Sequence, residues 1–303
     1  MIMNSIQPKD FTAYGRRLQR VLLLLLLTLH FSVALPLPVA GEEPQPGPEK
    51  LEYSMGVFPF LSAAATESVF APIAAELAQA LGRPVHLHSS STFETFMERL
   101  QHQEYEIAHI QPFDYVGIAV KAGYLPIASR NEDLSAQLVV LYNSPVRSAK
   151  DLRRKTIGMP PETAAVSYLA RIMLKQAGLR TGRDVKLKHF SSHLSCLQQL
   201  HIGNVSACAT ASPAIRVFEA QTKVTLRVLM QSSSIPQTLF VVHSRVPKAD
   251  RDRIARTILS STLSGVPKNL KELFIEKNGA YFRPVTDSDY DIVRKYLDLL
   301  GKE

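Results

Sequence analysis

Residues 158–169 read Gly-Met-Pro-Pro-Glu-Thr-Ala-Ala-Val-Ser-Tyr-Leu, between a strand-like run at 155–158 and an apolar helical run through Ile172, Met173 and Leu174. A strand, a Gly/Pro turn and a helix start carrying hydroxyls make a cradle for an anion or a polar ligand. The first N–H groups of the helix have no intrahelical acceptor, and the positive end of its dipole points to the same place. The same composition also describes an ordinary turn whose side chains cap the helix, and the segment alone does not choose between the two. Ser191-Ser192-His193 precedes a second helical run. There His193 is a candidate donor to a ligand, with a surface or capping histidine as the alternative.

Other chemistry is poorly represented. The chain has no G-x-S-x-G elbow, no P-loop, no GxGxxG and no HExxH. Ser191, His193 and Asp184 make a triad only if geometry is ignored, so no catalytic residue, cofactor or enzyme activity is expected. The remaining histidines are scattered, and His86 and His88 alternate on one strand without a third ligand at useful spacing, so no metal is expected. Cys196 and Cys208 are the only cysteines. In an exported chain two cysteines suggest one disulfide. In a right-handed βαβ unit a helix start and the end of the next strand share one sheet edge, which makes the bridge sterically reasonable. Two buried thiols, or a thiol pair facing a thiophilic ligand such as an arsenic oxyanion, are the alternatives.

These turns need elements to hold them. Residues 1–40 have the pattern of a secretory signal: Arg16, Arg17 and Arg20, an apolar run from Val21, then two small-x-small cleavage signals, Ser32-Val33-Ala34 and Pro38-Val39-Ala40. A retained anchor is the alternative, but the apolar core is short for a span of about 20 residues, and Pro36 and Pro38 break its end. No cysteine follows it, and residues 41–50 read as a flexible Pro-rich leader. Removing residues 1–40 takes away four basic side chains and one acidic one, lowering the net charge from +8 to +5. The remaining basic residues are scattered, which argues against nucleic acid. The periplasm is the expected location, with a soluble monomer as the expected form.

Beyond residue 50 the hydrophobic pattern alternates between strand and helix periods. Strands are predicted at 51–58, 85–88, 106–110, from 127, 138–142, near 156, 185–190, 206–210, 224–230 and 239–243. Helices are predicted at 68–81, 92–102, 114–122, 148–152, 165–177, 193–202 and 213–219, with a helical tail from 249. Phe93, Phe96, Met97 and Leu100 fall at helical spacing and are expected in the core. The buried runs 138–142 and 239–243 are each followed by a Pro turn, and they bracket a self-contained α/β stretch. That arrangement predicts one lobe inserted in another: residues 51–142 and 239–303 in lobe 1, 143–238 in lobe 2, with two crossovers. An exported two-lobed α/β chain has the architecture of a clamshell solute receptor.

The 158–169 segment, Ser191-Ser192-His193, the 206–210 strand, Ile107-Ala108 with its turn, and the 148–152 segment resemble the substrate-binding proteins of phosphate, phosphite and phosphonate ABC transporters. The resemblance runs from about residue 51 to the C-terminal helices and implies an α/β, two-lobed type 2 periplasmic-binding fold. It also implies a ligand set. The family turn after the strand reads Asp-Pro-x-Ser-Thr-Ser-Gly; aligned on Gly158, this chain keeps Thr163 but has Glu162 and Ala164 where the flanking serines stand. Ser167 lies further along the helix. The family histidine is kept as His193. A common Tyr falls on Ile110, beside Gln111, which could reach the cleft. The positions that read an aminophosphonate amine fall around Ser212-Pro213 and Thr238, which are not acidic. Glu162 is expected to turn outward and cap the helix; facing the cleft, it would favour a cationic or neutral ligand instead.

The resulting expectation is an exported protein that captures a small oxyanion or phosphonate-like ligand at Thr163, His193, Gln111, Thr238, Ser167 and Ser212 and delivers it to an ABC permease. A ligand-sensing receptor for a membrane histidine kinase, and an exported enzyme acting on phosphate esters, are the alternatives.

Overall fold

The computed structural model describes residues 52–301; the expected export signal (1–40) and leader (41–50) lie outside them. Two sheets organise these residues. In the first, β1 (Tyr53–Val57) pairs in parallel with β2 (Val85–Ser89) and β3 (Ile107–Ile110). β12 (Leu239–His243) inserts antiparallel between β3 and β4 (Tyr124–Arg130), and β13 (Phe282–Pro284) adds the far edge. The strand order is β13-β4-β12-β3-β1-β2. In the second sheet, β7 (Thr156–Met159) lies parallel to β8 (Lys186–His189) and β9 (Ala207–Thr210), while β6 (Gln137–Leu141) runs antiparallel to β9 and β10 (Leu226–Gln231).

The chain passes between sheets twice. Both passages contribute a strand to a two-stranded ribbon, β5 (Asp133–Leu134) against β11 (Ile235–Pro236). This corrects the expected lobe boundary at residue 142. The 138–142 run belongs to the second sheet, so the first crossing comes before it, at 131–136. An unbroken apolar run reports that a strand is buried on both faces, not which sheet buries it. Strand β13 corrects the expectation of a wholly helical tail; three residues are too few to show a period.

Helix α1 (Ala63–Leu81) begins five residues earlier than the apolar pattern indicates, because the Ser62 hydroxyl accepts from the Ala65 N–H. It ends where Gly82 adopts φ 67°, a left-handed cap that favours glycine. Val69, Phe70, Ile73, Leu77 and Leu81 bury its inner face against the first sheet and α6 (Lys248–Ser260). Between these, α2 (Phe93–Gln101), α3 (Ala165–Gln176), α4 (His193–His201) and α5 (Ser212–Thr222) each follow a strand. Helix α7 (Asp291–Leu300) closes the described chain.

The lobes share a core. Phe113, Tyr115 and Tyr105 of the first lobe join Leu169, Met173 and Ile157 of the second, together with Tyr290, Val293 and Tyr296. Phe113 stacks on Tyr168, with ring centroids 4.6 Å apart. Helix α7, expected with the first lobe, packs on α3 of the second, and Lys175 Nζ donates to Leu299 O at 2.9 Å.

One close approach fixes β1. A Cβ on Gly56 would come within 2.6 Å of the buried Tyr105 ring. Gly56→Ala is therefore expected to cost about 1–3 kcal/mol, seen as a lower urea midpoint with an unchanged slope. An unaltered midpoint would show that the ring has room to move.

Candidate functional site

A cavity of about 540 Å³ lies between the two lobes. The strand-to-helix turns of both sheets face it: the residues after β1, β2 and β3 from the first lobe, and those after β7, β8 and β9 from the second. The crossing ribbon supplies Asp133, Leu134, Gln237 and Thr238.

Helix α4 is built to present its N-terminus there. Ser192 and Ser195 form a reciprocal capping box, each hydroxyl accepting from the other's backbone N–H at 3.0 Å. Among the described residues, the first two amides of the helix, those of His193 and Leu194, have no acceptor. The His193 ring lines the cavity, and its Nδ1 lies 3.1 Å from the Thr210 hydroxyl. Burial pushes its pKa down to about 4, so the imidazole is neutral at physiological pH. Thr238 is 8% exposed, lines the cavity, and its hydroxyl has no hydrogen-bond partner among the described residues. A buried hydroxyl without a partner costs free energy that an incoming acceptor or donor recovers.

The turn at 158–165 is differently disposed. Gln111 reaches from the first lobe and occupies it: its Oε1 accepts from the Ala165 N–H at 2.9 Å, and its Nε2 donates to Thr163 O at 3.1 Å and to Asp114 Oδ2 at 3.2 Å. The Ala164 N–H goes to Pro161 O. Thr163 is half-buried and is not among the residues lining the cavity. Ser167 is fully buried, and its hydroxyl donates to the Pro160 and Pro161 carbonyls at 3.2 and 2.9 Å. That pattern back-bonds the preceding turn. Thr163 and Ser167 thus lie outside the cavity, while His193, Gln111, Thr238 and Ser212 line it. The Ser212 hydroxyl donates to Gln137 Oε1 at 3.2 Å. Glu162 is exposed and outside the lining, and it does not cap α3, whose N-cap is Ala164 without a side-chain bond.

Cys196 and Cys208 are bonded to each other, with Cα atoms 6.0 Å apart, and neither is exposed. This removes the thiol pair on which a thiophilic ligand would depend. The bridge also gives Gly158 its role: a Cβ there would lie 2.9 Å from Cys196 Sγ and 3.1 Å from Val205. The glycine lets α4 approach β7. Asp184 is bound by Arg153 at 2.6 Å, away from the cavity lining. Among the described residues no group of His, Cys, Asp or Glu side chains is arranged to hold a metal ion.

Sequence reasoning missed the aromatic side of the cavity. Phe58, Phe60 and Phe93 line it. Phe96 and Leu100 of α2 are fully buried, as the helical spacing indicates, but Phe93 is the first residue of that helix and turns to the cavity. Its place just after the end of a parallel strand was the available signal. The lining carboxylates were also missed, and both are paired: Glu132 with Arg130, and Asp133 with Arg283 at 2.5 Å.

A family model described as the periplasmic substrate-binding protein of a phosphonate ABC transporter matches residues 55–290. Among solved structures, PhnD1 from Prochlorococcus marinus (MIT 9301), in complex with methylphosphonate, has a TM-score of 0.67 at 17% identity, over 84% of this chain and 99% of that one. The binding component of a phosphonate ABC transporter from Pseudomonas aeruginosa has a TM-score of 0.65 at 13% identity, over 82% and 86%. A Xanthomonas citri protein bound to ATP has a TM-score of 0.64 at 14% identity, over 82% and 96%. All share the two-lobed α/β fold described above. No helix among the described residues is long and apolar enough to cross a membrane.

Proposed function

The chain belongs to the periplasmic substrate-binding proteins of phosphonate ABC transporters, and from that membership we propose that it is exported by a cleaved signal, binds an oxyanion-headed solute between its lobes and presents it to an ABC permease. The observation that carries the reading is the convergence on one cavity of the start of α4, with its two free amides, and His193. Binding is the whole mechanism: a ligand held by both lobes favours the closed arrangement of the clamshell.

The head group of the ligand accepts from the His193 and Leu194 amides, where the helix dipole also favours negative charge. In the tautomer whose Nδ1 accepts from the Thr210 hydroxyl, the His193 ring carries its proton on Nε2 and offers it to the same oxyanion. At the Gly158 turn, Gln111 holds the first helix amide, that of Ala165.

His193→Ala should weaken binding of a phosphonate by about 10- to 100-fold, the usual range for a hydrogen bond to a charged group. Thr238→Val should bring no loss of stability, because its hydroxyl has no partner to lose. Calorimetric titration of the first variant and urea unfolding of both check this. Undiminished affinity in His193→Ala would remove this site from the reading.

A further inference from the structure

The cavity has a second character that an oxyanion does not use. Phe58 and Phe60 stack with ring centroids 4.6 Å apart and planes 21° from parallel, and Phe93 stands 6.0 Å from Phe58 at 51°. All three line the cavity from the first lobe, whereas the amides and the imidazole come from the second. Behind the rings lies more apolar packing: Phe60 meets the edge of Phe70, and both pack against the fully buried His109 ring. This wall is part of the core, held in place before any ligand touches it.

Three further observations bear on what rests there. A cavity of about 540 Å³ is far larger than a phosphate or methylphosphonate ion fills, and it lies within the range that organic ligands of substantial size occupy. Both lining carboxylates stand beside arginines of this chain, Glu132 beside Arg130 and Asp133 beside Arg283, which offsets the charge that would draw an ammonium group. Glu162, the remaining acid near the turn, is outside the lining. A site with anion donors on one lobe, stacked rings on the other and its carboxylates offset by arginines selects a particular kind of molecule.

We infer that the solute is an organic oxyanion bearing an uncharged aromatic or similarly flat apolar substituent, its head group at the start of α4 and its substituent against Phe58, Phe60 and Phe93. This rests on the oxyanion-binding reading above and deepens it. Burial of one ring on such a wall, with the stacking it permits, strengthens binding by about tenfold or more over the same head group carrying only a methyl.

Calorimetric titration of the protein with benzylphosphonate, methylphosphonate, 2-aminoethylphosphonate and benzyl alcohol tests it. Benzylphosphonate should bind at least about tenfold more tightly than either other phosphonate, and benzyl alcohol should not bind measurably. The double variant Phe60→Leu, Phe93→Leu keeps an apolar lining without the rings. It should lose most of the preference, its affinity for benzylphosphonate falling much further than its affinity for methylphosphonate. Equal or tighter binding of methylphosphonate by the unaltered protein, or a preference that survives in the leucine variant, overturns the inference and leaves the binding-protein reading standing. If no phosphonate binds, or benzyl alcohol binds as well as benzylphosphonate, the oxyanion reading falls with it.

Discussion

Replacing Asp114 with asparagine should stabilise the protein progressively, relative to the unaltered chain, as pH rises from about 4 to 7, by about 4 kcal/mol in total. Asp114 is 8% exposed, and burial pushes its carboxyl up from 3.8 to about 7, against a smaller opposing effect of hydrogen bonds with Gln111. In the unfolded chain the acid ionises near its ordinary value. A folded pKa above the unfolded one means that the stability it contributes is fully present below about 3.8 and is lost as pH rises through 7. His193 runs the other way. Its folded pKa, about 4, lies below the ordinary 6.5, so its contribution is present above 6.5 and lost as pH falls toward 4. Over the shared window the two slopes oppose each other in the unaltered protein. Asparagine removes one of them and keeps a carbonyl for Gln111 to donate to. Urea midpoints of the two proteins across that window should diverge; parallel curves would show that Asp114 is not buried in the folded state.

Removing the disulfide should have an effect of similar size on a different axis. Cys196→Ala with Cys208→Ala should lower stability by about 3 kcal/mol, the value for a short closed loop; the bridged residues are 12 apart in sequence. It should also weaken oxyanion binding, although neither cysteine lines the cavity, because the bridge ties the first turn of α4 to β9 and so fixes the amides that the head group meets. Both sulfurs are inaccessible. Reductant should therefore leave the folded protein unchanged, yet bring its unfolding midpoint down to that of the variant. A variant midpoint equal to that of the oxidised protein would contradict the assignment.

The alternation of strands and helices was legible because periods of 2 and 3.6 are local properties. Partnership is not local, and two consequences followed. The 138–142 run shows its burial plainly but not its sheet. Ser167, in the first turn of α3, and Thr238, just before β12, both carry buried hydroxyls, and only the fold separates them: one is satisfied by the Pro160 and Pro161 carbonyls, the other is buried without a partner. His193 could be read from its place at a helix start. Phe58, Phe60 and Phe93 were harder to read, since an aromatic side chain in an α/β pattern reads as core whichever way it faces, and only the place of Phe93 just after a strand pointed to the cavity. Glu162 and Ala164 in place of hydroxyls suggested that recognition at the turn had changed. Gln111, which comes from the other lobe, holds the Ala165 amide at that turn.

The position of β12 has a consequence for the chain as it is made. The second sheet draws all five strands from one continuous stretch that ends at Gln231, whereas the first has β12 between β3 and β4. A chain stopped short of residue 239 holds every strand of the second sheet but only separate pieces of the first, with β1–β3 on one side and β4 on the other. The lobe begun first is completed last. Until then the facing edges of β3 and β4 stand open, the kind of unpaired edge that recruits other strands and that anything guarding an unfinished chain would have to cover.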